Sequence, residues 1–132
     1  MADFFTSVGC MDGRTQQTVA DYGKKEFAAD FPDTITEAGF IGVLAKRAED
    51  EEFIRDLSNK ISISVSNHGS KGIVVHAHED CAGNPVSNEQ QKKEVEQAAM
   101  LVDSIIMDTP VVGVFLNKTG DSWFVEEIIS LL

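Results

Sequence analysis

Basic residues are scarce in this chain: 11 lysines and arginines stand against 22 aspartates and glutamates, a formal charge of −11. Nucleic-acid binding needs a clustered basic surface to neutralise phosphates, so that class is excluded, and anionic membranes are disfavoured for the same reason. Long apolar runs are missing as well. No stretch approaches the roughly 20 apolar residues of a membrane span. The opening "MADFFTSVGC" carries an acid at Asp3 and no basic segment of the secretory kind, so a cytoplasmic location is the default expectation. Cysteine is equally rare. Cys10 and Cys81 are the only two, and in a reducing compartment they are thiols free for metal or catalysis, not a structural disulfide. Repeats, low-complexity tracts and linkers are absent, and 132 residues suit a single domain, 1–132, with a real core.

What the chain does contain is an alternation of strand and helix signals. "DFFTSVG" (3–9) is a short β-prone run ending in glycine and predicts a first strand. "TQQTVADYGKKEFAADF" predicts a helix, weakened by Gly23, and "DTITEAG" (33–39) a second strand between Pro32 and Gly39. The acids Glu49 to Glu52 suit a helix N-terminus. Phe53, Leu57, Ile61 and Val65 recur every four residues and carry that helix to about Asn67, although "ISISV" within it alternates like a strand. "GIVVHAH" (72–78) is the clearest strand, with the continuous apolar centre of a buried parallel sheet. Ser87 and Gln90 form a capping box for a helix that Pro110 stops. "VVGVFL" and "SWFVEEI" then flank the turn "NKTGD". The expected fold is therefore three-layer α/β: a mainly parallel central sheet of four to five strands with an antiparallel edge strand, and helices on both faces.

In such a sheet the ligand site lies beyond the carboxyl ends of the strands, at a switch in strand order. Cys10 falls at the end of the first strand and "HAHEDC" (76–81) at the end of the clearest one. His78 and Cys81 are close enough in a loop to bind one metal ion. With Cys10 they make two thiolates and an imidazole, a set suited to zinc, and the fold has to bring the two loops together. Three protein ligands leave a fourth position open, which marks a catalytic site.

These residues carry a resemblance. "CMDGR" is similar to the Cys-x-Asp-Ser-Arg motif of the β-class carbonic anhydrases, and "VVHAHEDCAG" resembles that family's buried strand followed by His-x-x-Cys-Gly. "SVSNHGSKGIVVHAHEDC" and "VVGVFLNKTGDSWFVEEI" extend the likeness over nearly the whole chain. The resemblance implies Cys10, His78 and Cys81 as zinc ligands. It also implies an Asp12–Arg14 pair in which Asp12 either closes the site as a fourth ligand or turns to Arg14 and admits water. The implied activity is reversible hydration of CO2 to bicarbonate by a zinc-bound hydroxide. Hydrolysis of carbonyl sulfide or carbon disulfide is a near neighbour that the same ligands would serve. A non-catalytic zinc protein, structural or regulatory, is the rival from another class, and a redox-sensing thiol pair a third reading. A homodimer or larger homo-oligomer is expected by analogy with the family.

The departures from the family pattern bear on substrate, rate and assembly. Gly13 replaces the usual Ser, Ala82 stands where the family has Gly, and Thr36-Glu37-Ala38-Gly39 replaces Arg-Asn-Ala-Gly. Nine residues precede Cys10, so the family's N-terminal helical arm is expected to be missing. The remaining candidates have plainer readings. Asp12 and Arg14 also fit a turn-capping acid with a surface arginine. His76 fits a packed histidine or one supporting the ligands, His68 a helix end, Glu79 and Asp80 loop acids, and Trp123 and Phe124 core or interface positions.

Overall fold

The computed structural model describes residues 2–132. Among them five strands form one sheet in the order β2-β1-β3-β4-β5, where β1 is Phe4–Cys10, β2 Phe31–Glu37, β3 Ile73–His78, β4 Val111–Thr119 and β5 Ser122–Leu131. The first four are mutually parallel and β5 runs antiparallel to β4. The helices are α1 (Gln16–Phe27), α2 (Phe40–Lys46), α3 (Glu51–Ser62) and α4 (Asn88–Ile105). Among the described residues no helix is long and apolar enough to cross a membrane.

Period-two alternation along the strands supplies two cores. Ile73, Val75 and Ala77 of β3 join Val8, Leu44, Leu57, Ile61 and Val95 on the face covered by α2, α3 and α4. Val74 joins Phe5, Val19, Val112 and Val114 on the face covered by α1. Burying each such side chain stabilises the fold by roughly 1.5–3 kcal/mol, and a strand like β3, apolar towards both layers, has to lie centrally. The chain leaves β1 through α1 to one side and returns through α2 and α3 to the other. The carboxyl ends of β1 and β3 therefore flank the switch in strand order.

The expected architecture is observed, with local differences that have physical causes. Gly23 does not weaken α1 without purpose: a Cβ there would collide with the Phe5 ring, so the missing side chain lets the helix settle on the sheet. The second strand begins at Phe31, earlier than the pattern suggested, and contains Pro32; β2 is an edge strand, where a residue without an N–H is tolerated. Helix α2 was not foreseen. Its seven residues are too few to establish a period. The "ISISV" stretch is helical, ending in a π-helical turn at Ile63–Asn67. Asp50 caps α3 through a bond from the Phe53 N–H at 3.1 Å. At α4 only half of the capping box forms. Ser87 accepts from the Gln90 N–H at 3.2 Å, but the Gln90 side chain turns away to Glu94.

Candidate metal centre

Because β1 and β3 are adjacent and parallel, with Gly9 opposite His76, their carboxyl ends emerge at the same edge of the sheet. Cys10 ends β1, His78 ends β3, and the short turn after β3 brings back Cys81. All three are buried, and their donor atoms lie within 4.8 Å of one another. The two sulfurs are 3.7 Å apart and not bonded.

His78 is held in one orientation. Its Nδ1–H donates to the Glu79 carbonyl at 2.7 Å, which leaves the lone pair on Nε2. That nitrogen is buried and has no hydrogen-bond partner among the described residues. The carbonyl of His78 accepts from Gln91 Nε2 at 2.8 Å, tying the strand end to α4. The Gly39 N–H points at the Cys10 sulfur at 3.4 Å. Gly39 has φ of 58°, and a Cβ there would collide with the Gly83 carbonyl, so this close approach of two loops requires glycine. It is the Ala-Gly end of the segment expected to differ from the family pattern. Thr36 and Glu37, by contrast, finish β2, and Glu37 uses its carbonyl to accept from the Met11 N–H at 3.1 Å.

The electrostatics favour a thiolate at Cys10. Burial works against its charge, yet attraction from the His78 ring and the N–H groups of Gly39 and Asp12 outweighs it and brings the thiol to about 7. The attraction is through space, since no well-formed hydrogen bond reaches Nε2. Cys81 moves the other way, pushed up by burial and by the neighbouring Cys10. For His78, burial disfavours the charged ring, while Cys10 and the Glu79 carbonyl favour it and carry the net shift upward.

Asp12 and Arg14 form a pair at the mouth. Arg14 donates from Nη2 to Asp12 Oδ2 at 2.7 Å and from Nε to Oδ1 at 3.1 Å, and its backbone N–H reaches Oδ1 at 2.9 Å. These bonds outweigh burial and hold the Asp12 carboxyl at about 2. Asp12 Oδ2 sits 3.8 Å from His78 Nε2. Gly13, between them in sequence, has open space around it.

The donor set passes a simple test of fit. A tetrahedral zinc with bonds of about 2.3 Å to sulfur separates two thiolates by about 3.8 Å, and the observed 3.7 Å agrees. The orphaned Nε2, with both sulfurs converging on it, supplies the third donor. A cleft of about 570 Å3 between α2 and α3 is lined by none of these three side chains.

His76 does not join the cluster. It is fully buried, takes its Nε2 to Ser7 Oγ at 3.0 Å, and burial drops it to about 3, so it is a neutral packed histidine. His68 closes the π-helical turn and pairs with Asp33 at 2.7 Å. Phe124 is exposed. Trp123 packs against the core on the α1 face and Asp80 is a loop acid, as expected, and each makes a further contact at the site. The Trp123 ring faces both Arg14 and His78, and Asp80 binds Arg14. Nothing local in the sequence signals either contact.

A family model described as "putative carbonic anhydrase" matches residues 1–129. No curated protein matches the chain.

Proposed function

The chain belongs to the family described as "putative carbonic anhydrase", and from that premise we propose that it is a zinc enzyme of the β-class type, reversibly hydrating CO2 to bicarbonate. The observation that carries this reading is the convergence of Cys10, His78 and Cys81 beside an arginine-held carboxylate. A zinc ion bound there would supply Lewis acidity, lowering the pKa of a coordinated water to about 7.

The chain's own residues have distinct parts in this reading. Cys10 and Cys81 hold the metal through sulfur and His78 through Nε2, while the Glu79 carbonyl and Gln91 fix the imidazole and its strand end. Asp12 stays ionised throughout the physiological range. A carboxylate can only accept, so Asp12 takes a hydrogen bond from the attacking water and orients its lone pair towards the carbon of CO2. Arg14 steers Asp12 into that role. A structural zinc site requires neither residue, which favours catalysis over a non-catalytic zinc protein. Assembly as a homo-oligomer goes with this reading and is checked by light scattering.

Stopped-flow CO2 hydration by zinc-loaded protein between about pH 7 and pH 9 tests the proposal. Activity that rises with pH and is lost in Asp12→Ala is the expected result. Zinc bound without hydration at any pH would sink it, leaving carbonyl sulfide or carbon disulfide hydrolysis, or a non-catalytic zinc protein.

A further inference from the structure

Trp123 is the sole tryptophan of the chain, and β5 delivers it to the mouth of the metal centre. The Arg14 guanidinium lies over its ring, 5.4 Å from the centroid, and the His78 ring meets it edge-on at 5.7 Å with planes 85° apart. Arg14 also donates to the Asp80 carboxylate at 3.2 Å and to the Asp80 carbonyl at 3.1 Å. Asp80 holds φ of 61°, a left-handed conformation uncommon for a residue with a side chain, and in it both of its acceptors reach one guanidinium. The β4–β5 hairpin is stitched to the same loop, since the Lys118 N–H donates to Glu79 Oε1 at 2.9 Å.

What these contacts restrain is Asp12. Its Oδ2 stands 3.8 Å from His78 Nε2, much as the two sulfurs stand 3.7 Å apart. The carboxylate is not among the donors that converge within 4.8 Å of one another, so taking a fourth ligand position requires it to swing inward, and its bonds to Arg14 oppose that move. Arg14 is 44% exposed. An exposed arginine–carboxylate pair is by itself weak and has side-chain entropy to lose. The aromatic face supplies a further attraction in addition to the carboxylates.

We propose that Trp123 is a positioning residue of the metal centre, pinning Arg14 so that Arg14 keeps Asp12 out of the fourth ligand position. The role rests on Cys10, His78 and Cys81 being the metal ligands. It acts through Arg14 and Asp12, not through contact with substrate.

The test uses zinc-free protein loaded with Co2+, whose visible spectrum reports thiolate ligation, and then titrated with azide as a probe of the fourth position. Wild type and Trp123→Phe, which keeps an aromatic face, are expected to bind azide alike. In Trp123→Ala the open state is less populated, so the apparent azide Kd rises about fivefold or more. The same substitution made in Asp12→Ala protein is expected to leave the azide Kd unchanged, because no carboxylate remains to compete. Trp123→Leu serves as the second variant should Trp123→Ala fail to fold. An unchanged azide Kd in folded Trp123→Ala or Trp123→Leu overturns the role. So does an equal loss in the Asp12→Ala background, which would mean that the indole acts directly. Failure of wild type to develop thiolate–cobalt bands is a separate result, removing the ligand assignment and the inference with it.

Discussion

The two ends of the central sheet carry similar side chains and use them differently. At the amino ends of the strands, Asp33 accepts from Ser64 Oγ at 2.7 Å and pairs with His68 Nδ1 at 2.7 Å. Thr6 Oγ1 bonds both Ser64 and Ser70, at 2.7 and 2.8 Å. His68 stacks on Phe4, 4.3 Å between centroids. Acid, imidazole and hydroxyl thus satisfy one another, and Asp33 lies between the serine and the histidine, where it cannot activate a nucleophile through the imidazole. The network's evident work is to tie the π-helical turn to β1 and β2. At the carboxyl ends, an imidazole nitrogen is buried without a partner and two sulfurs face it. A buried polar cluster that closes on itself is structural, and one that converges on a shared point with a donor unspent is a ligand site. His76 sharpens the rule. Its Nδ1 is orphaned too, yet among the described residues no second donor converges on it, so an unpaired atom alone does not make a site.

Substitutions at the two ends should separate cleanly. The largest effect is expected from Cys81→Ser, which lowers zinc affinity about 100-fold or more while leaving the circular dichroism of the zinc-free protein unchanged. Competition with a chelator of known affinity measures it. Next, Asp33→Ala removes the acceptor shared by Ser64 and His68 and is expected to cost about 1–3 kcal/mol of stability in denaturant unfolding. Zinc affinity in that variant should match wild type. A change of more than a few-fold would break the separation of the two ends. Third, zinc competes with protons at the thiols. Cys10 titrates near 7 and Cys81 higher, so zinc affinity is expected to fall about tenfold or more per unit as the pH drops below 7. Calorimetry in buffers of different ionisation enthalpy should find more protons released at pH 6 than at pH 8. The smallest effect belongs to a position in neither cluster. Asp50→Ala removes the α3 cap and should lower the melting temperature only slightly at neutral pH. Arg47 and the Phe53 N–H hold the Asp50 carboxyl below its ordinary value. Its contribution is therefore complete above the unfolded carboxyl's pKa and is lost as the pH falls through the lower folded value. The mutant and wild-type melting curves should converge in that acid window.

Much of this architecture could be read from the chain. β3 announced itself because burial on both faces demands an unbroken apolar run. The two short motifs, Cys10 to Arg14 and His78 to Cys81, were legible because each lies within a few residues. Helix α2 was not, since a seven-residue segment inside "GFIGVLAKRAED" gives periodicity too little length to act on. The edge position that excuses Pro32 is likewise a property of the sheet and not of the strand. Asp80 looked like any loop acid until its left-handed backbone brought two acceptors to one guanidinium.

Local sequence decided which donors exist, which elements carry them and at which end of each strand they fall, because hydrophobic period and turn chemistry act over a few residues. The 3.7 Å between Cys10 and Cys81, the orphaned nitrogen of His78 and the indole over Arg14 came from elsewhere. They depend on β1 and β3 pairing in one register and on β5 folding back beside β4. Such contacts join residues far apart in the chain, and only packing of the whole sheet brings them together.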